Sequence, residues 1–153
     1  MIYFQAETLG DTWIRCMKTI LSEGQLINDN DLTLYESRNV CITIGEIRED
    51  DPIINTYADK ERIHLMKEKY STCGLVGDYK VDYGSYIYAN NGVNQIEWVK
   101  NRIKVKPETK SATITLHKAG ENLLSCLSML DFKLRNKKLI MTVVYRSQNV
   151  YSS

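Results

Sequence analysis

Two hydrophobic periods alternate along the chain. After Asp11, residues Trp13, Ile14, Met17, Ile20 and Leu21 recur at helical intervals, and Gly24 supplies a stop. This spacing predicts an amphipathic helix capped by Asp11, with one packed face. From Leu32 to Ile47 the pattern turns to β-branched and aromatic residues, which predicts one long strand or two short ones, closed by Asp50, Asp51 and Pro52. Ile63, Met66 and Tyr70 give residues 57–70 a weaker helical pattern among many charges. Glycines and tyrosines then crowd residues 74–88, predicting a loop with short strands. Val93, Ile96, Trp98, Val99 and Ile103 form one wide apolar helical face that ends before Pro107.

Three β-type runs follow, at residues 112–116, 123–134 and 139–145. The last two are joined by Arg135-Asn136-Lys137-Lys138, whose polar character and Asn suit a hairpin turn. Helices early and strands late predict a mixed α+β fold on a largely antiparallel sheet. No repeat or linker divides residues 1–153, so a single domain is expected.

Composition narrows the function. Twenty basic residues against nineteen acidic ones leave a formal charge of +1, which gives no broad positive field for a nucleic-acid backbone. Any phosphate contact must be local. Charged and polar residues interrupt every apolar stretch well short of the roughly 20 residues of a membrane helix, and Glu7 and Asp11 near Met1 do not suit a signal peptide. A cytoplasmic protein is the expectation. Cys16, Cys41, Cys73 and Cys126 show no C-x-x-C spacing, and His64 and His117 are the only histidines, so the sequence offers no zinc site. Each cysteine is either a buried small hydrophobe or a nucleophile.

Taken alone, Cys126 lies in Leu-Leu-Ser-Cys-Leu-Ser, an apolar strand in which a buried structural thiol is the ordinary reading. No His or Lys adjoins it, so activation as a nucleophile needs groups brought near by folding. Arg146 is one such group, at the end of the partner strand of the hairpin. A guanidinium there can favour a thiolate and bind a phosphate bidentately, or remain a solvated strand-end charge.

Cys126, the hairpin and Tyr145-Arg146-Ser147 together resemble the thymidylate synthase and pyrimidine hydroxymethylase family. In that family a nucleophilic cysteine is followed by a hairpin ending in an Arg-Ser pair. The resemblance extends to Asp82-Tyr83-Gly84, similar to the family's Tyr-Gly loop, to the helix from Gly92 to Ile103, and to Pro107–Ala112. It implies a thymidylate synthase-like α+β fold with helices on one face of the sheet. It also implies transfer of a one-carbon unit from 5,10-methylenetetrahydrofolate to C5 of a pyrimidine nucleoside monophosphate, through a covalent bond between cysteine and C6. On this reading Cys126 is the nucleophile and Tyr83 handles protons. Arg146 and Ser147 hold the phosphate, and a homodimer is implied.

The chain departs from the family at several positions. Ser125-Cys126-Leu127 replaces Pro-Cys-His. Lys110-Ser111 replaces an Arg-Arg pair that reaches across the dimer to phosphate, leaving one cation without the planar fork. Asn149 stands where the family has an Asp tied to folate chemistry, and an amide cannot exchange a proton. The family also continues past the Arg-Ser pair into a base-reading Asn and a His-x-Tyr element, whereas this sequence ends at Ser153. Two expectations stand side by side: a one-carbon transferase, or a shortened member that binds nucleotide or dimerises without turnover.

Overall fold

Thr8, rather than Asp11, opens the first helix. In the computed structural model, which describes residues 1–118 and 120–150, helix α1 spans Leu9–Glu23 with Thr8 as its N-cap, its Oγ1 accepting the Asp11 N–H. Asp11 instead lies in the first turn, where it takes the Glu7 N–H and pairs with Arg15. Acidic groups there are favoured by the helix dipole as well as by capping, which is why the two roles are hard to separate in sequence. Gly24 does end the helix, with its N–H on Ile20 O at 2.9 Å, and it does so in extended backbone.

The chain forms two compact units, Met1–Asp59 and Lys60–Asn149. In the first, β1 (Ile2–Ala6) pairs in parallel with β4 (Val40–Ile44), and β2 (Gln25–Asp29) forms an antiparallel hairpin with β3 (Leu32–Glu36). The β-type run from Leu32 is thus two short strands, and β1 and β2 are additional to those predicted. A short helix, α2 (Pro52–Tyr57), begins at Asp51. The carboxylate of Asp51 accepts the Ile53 and Ile54 N–H groups and, from α1, the Gly10 N–H at 2.8 Å. A hydrogen bond with the Thr8 side chain, together with these main-chain bonds, holds its pKa down at about 2. A Cβ on Gly10 would collide with that carboxylate and with Ile53, so glycine is required where the two helices meet.

The second unit carries the core. It comprises α3 (Lys60–Ser71), α4 (Tyr83–Tyr88), α5 (Gln95–Val105) and an antiparallel sheet of β5 (Thr113–Thr115), β6 (Leu127–Arg135) and β7 (Lys138–Tyr145), with β6 central. Tyr83, Ile87, Val99, Ala112, Ile114, Leu116 and Leu127 are buried together. Full burial of Ile114 and Leu116 is worth about 1.5–3 kcal/mol each. Gln95 ties the layers, its amide donating to Tyr86 O and Thr115 O and accepting the Thr115 N–H. Asn136 and Lys137, both at positive φ, make the tight turn between β6 and β7 that the Asn suggested. The residues of β7 are more than a third exposed along its length, with the Tyr145 hydroxyl bonded to Tyr70. The three small sheets are less continuous than the largely antiparallel sheet expected, although the α+β class holds.

The predicted loop over 74–88 contains a helix. Asp82 caps α4, accepting the Ser85 N–H at 2.8 Å and also the Gly74 N–H. Gly84 therefore lies in a helix, where it permits close approach: a Cβ there would overlap the Thr72 carbonyl and sit 2.8 Å from Cys73 N. Among the described residues no helix is long and apolar enough to cross a membrane. Because Gly84 seats α4 on the end of α3, Gly84→Ala is expected to cost at least about 1–3 kcal/mol by overpacking. Urea denaturation reads the loss, and an unchanged midpoint would contradict this contact.

Candidate active site

Helix α4, the start of β6 and the end of β7 converge on Cys126. The sequence placed this residue within a strand, yet β6 begins one residue later, at Leu127. Its N–H is committed instead to the Tyr83 hydroxyl at 3.0 Å. Ser125, fully buried, anchors the preceding residue: its Oγ lies 2.8 Å from Leu116 O and 2.5 Å from Leu127 O. The register of β6 against β7 then shifts between Leu127 and Met129, so Ser128 is an extra residue bulging out of the ladder. A bulge there re-aims the neighbouring side chains. The result is a half-buried thiol at the rim of the core.

Two hydroxyls meet the sulfur. Ser147 donates to Cys126 Sγ at 3.5 Å, and the Tyr83 hydroxyl interacts with the same sulfur as well as with the Cys126 N–H. Arg146 joins through its main chain, with its N–H on Cys126 O at 2.8 Å, while its exposed guanidinium donates to Leu124 O at 3.4 Å. The structure thus brings together Cys126, Tyr83, Arg146 and Ser147. It gives the contact with sulfur to Ser147, where the sequence suggested the Arg146 guanidinium. Asn149 follows two residues on and is exposed.

Lys110 lies elsewhere. Its carbonyl accepts from Lys133 Nζ, seven residues along β6 from Cys126, or roughly 20 Å at the rise of a strand. A surface cleft of about 430 Å³, between α4 and the segment before Cys126, is lined by residues including Asp82, Tyr86, Lys118 and Glu121. Cys126, Arg146 and Ser147 do not line it, so it is separate from the thiol. Among the described residues no group of three His, Cys, Asp or Glu side chains is placed to hold a metal ion.

Sequence reasoning named Tyr83 but missed Tyr70, Tyr145 and Lys69 around it. Tyr70 and Tyr83 meet edge to face with ring centroids 4.9 Å apart, and the Tyr70 and Tyr145 hydroxyls are hydrogen-bonded to each other. Burial raises the pKa of Tyr70, Tyr83 and Tyr145, and the nearby Cys126 charge adds to the rise in each. All three phenols are thereby held neutral. Lys69, only 8% exposed, points its ammonium at the rings of Tyr79, Tyr83 and Tyr70. The sole hint in sequence was the density of tyrosines around Tyr83.

No family model matches the chain. Several curated relatives carry the name "Putative thymidylate synthase". One from Methanosarcina mazei is 26% identical over 151 residues, covering 95% of this chain and 70% of that protein. Another, from Methanothermobacter thermautotrophicus, is 26% identical over 170 residues, covering 97% and 76% respectively. A third, from Methanocaldococcus jannaschii, is 22% identical over 166 residues, covering 97% and 73%. Over nearly its whole length the chain is similar to these putative thymidylate synthases. This similarity spans the first unit as well as the second, so it reaches beyond the segment around the hairpin that carried the resemblance in sequence.

The bond from Cys126 N–H to Tyr83 fixes where the sulfur stands. Tyr83→Phe removes the acceptor while keeping the ring, and is expected to cost about 1–2 kcal/mol. Chemical denaturation measures it; a cost below a few tenths of a kcal/mol would show that the bond does not hold the thiol in place.

Proposed function

We propose that this chain carries out thymidylate synthase-like covalent chemistry on a pyrimidine nucleoside monophosphate, with Cys126 as the nucleophile. The observation that carries the reading is the half-buried Cys126 sulfur, met by the Ser147 and Tyr83 hydroxyls and flanked by Arg146. In the first step a bond forms between Sγ and C6 of the ring, and the π pair of the C5–C6 double bond moves toward C5 and O4. C5 becomes the carbon that accepts a one-carbon unit. Tyr83, a neutral phenol, stands at the sulfur as a hydrogen-bond and proton donor. The exposed Arg146 guanidinium suits bidentate capture of the phosphate, with Ser147 as a further donor.

5,10-Methylenetetrahydrofolate is the donor that the resemblance implies. Asn149 provides an amide where the family's carboxylate would take part in folate chemistry, and an amide does not exchange protons there. The residues present do not complete that half of the site, so no step is assigned to the carrier. The same residue favours a second reading, in which the chain binds the nucleotide or dimerises without turnover.

We assign Lys110 to the phosphate of a second copy, because it lies far along β6 from its own Cys126. The exposed apolar side chains of β7, among them Leu139, Ile140 and Met141, leave surface for such a homodimer. With a 5-fluorinated pyrimidine nucleotide and methylenetetrahydrofolate, mass spectrometry is expected to find a covalent adduct on the Cys126 peptide, lost in Cys126→Ser. Nucleotide binding by calorimetry without any adduct supports the second reading, and absence of both overturns the assignment of the site.

A further inference from the structure

Lys69 occupies the last turn of α3 and is almost wholly buried. Its Nζ stands 4.0 Å from the centroid of the Tyr79 ring, 4.5 Å from that of Tyr83 and 5.5 Å from that of Tyr70. Its one hydrogen-bond contact among the described residues is Met66 Sδ, at 3.9 Å. No carboxylate among the described residues lies within ion-pair distance of it. A buried ammonium without an acid is costly, and three ring faces offset only part of that cost.

The groups that face this cation can be named element by element. Tyr70 comes from α3 itself, Tyr79 from the following loop and Tyr83 from α4. Cys126 precedes β6, and Tyr145, at the end of β7, joins the cluster through its hydrogen bond to Tyr70. Tyr70, Tyr83 and Tyr145 are held as neutral phenols, which leaves the Cys126 thiolate as the natural anion of the cluster. Tyr83 connects the two, with its ring under Lys69 and its hydroxyl on Cys126. Burial lowers the pKa of Lys69, while the charge of Cys126 opposes that fall. The two groups therefore meet electrostatically through the Tyr83 ring that both touch.

We infer that Lys69 is the counter-charge of the Cys126 thiolate, a positioning residue that acts on the nucleophile across the Tyr83 ring without touching substrate. The inference rests on the reading of Cys126 as a nucleophile, and it gives that thiol the cation its sequence neighbours lack. Arg146, exposed at the surface, is left for phosphate. The division differs from the one suggested by sequence, in which Arg146 served both the thiol and the phosphate.

The test is the pH dependence of iodoacetamide alkylation in the full chain, followed for each cysteine peptide by mass spectrometry. Lys69→Met is expected to move the Cys126 profile to higher pH and to slow its alkylation at pH 7 by about three- to tenfold, equivalent to roughly half to one pH unit. Cys41 and Cys73, exposed elsewhere, keep their rates. Lys69→Arg, which keeps the charge, is expected to retain most of the wild-type profile. An unchanged Cys126 profile in Lys69→Met, or Lys69→Arg matching Lys69→Met, would overturn the role. Should Lys69→Met not fold, NMR titration of the Lys69 side chain in wild type and Cys126→Ala decides: a lower Lys69 pKa without the sulfur is expected, and no change refutes it. Alkylation needs no nucleotide, so the result stands apart from the fluoropyrimidine adduct. An adduct with an unmoved profile removes Lys69 alone, whereas a moved profile without an adduct removes the nucleotide chemistry alone.

Discussion

The main-chain amide of Cys126 donates to the hydroxyl of a buried tyrosine, and the arrangement of the site follows from that bond. A strand residue normally spends its N–H on the neighbouring strand. Here Tyr83 takes it, so β6 starts one residue later and the thiol is left at the rim of the core. The bond is available only because α4 delivers Tyr83, 3% exposed, into the same core as Leu127, and α4 can sit there only because Gly84 has no side chain to meet the Thr72 carbonyl. Tyr-Gly is thus one device with two halves: the glycine sets the depth of the helix and the tyrosine uses it.

Around that anchor, polar groups are divided by depth. Ser125, fully buried, bonds to main-chain carbonyls on either side and fixes the backbone before the cysteine. Ser147, at the surface, meets the sulfur, and Arg146 presents its guanidinium to solvent. Deeper in, aromatic rings enclose one cation and exclude carboxylates. A low-dielectric cluster with one fixed positive charge strengthens any interaction with an anion beside it. This layering suits a thiol that must ionise next to a surface where a charged nucleotide can bind.

Much of the scaffold was legible in sequence because it rests on local pattern. The helix over Gln95–Val105 has a clear apolar face, and the hairpin turn has Asn136, a residue tolerant of positive φ. Helix α4 was not, since glycine and tyrosine suggest a loop while the deciding feature, the Asp82 cap, is a single residue. β1 and β2 are five residues each; β2 is mostly exposed, and in β1 the aromatic Tyr3 takes an exposed position, so neither shows a clear polar and apolar alternation. Cys126, Tyr83, Arg146 and Ser147 could be proposed from motif order, but which group touches sulfur depends on a bulge at Ser128 that no local pattern announces. Lys69 was illegible for a stronger reason. It sits in a charged helix segment that reads as solvated, and its burial is completed by tyrosines from the following loop and from α4.

Hydrogen exchange at the Cys126 amide tests the central claim most directly. If Tyr83 holds that N–H, the amide is protected to nearly the same degree as those in the middle of β6, although it lies outside the strand. Exchange as fast as in the exposed segment just before it would mean that the bond is not maintained in solution, and the placement of the thiol would lose its physical basis.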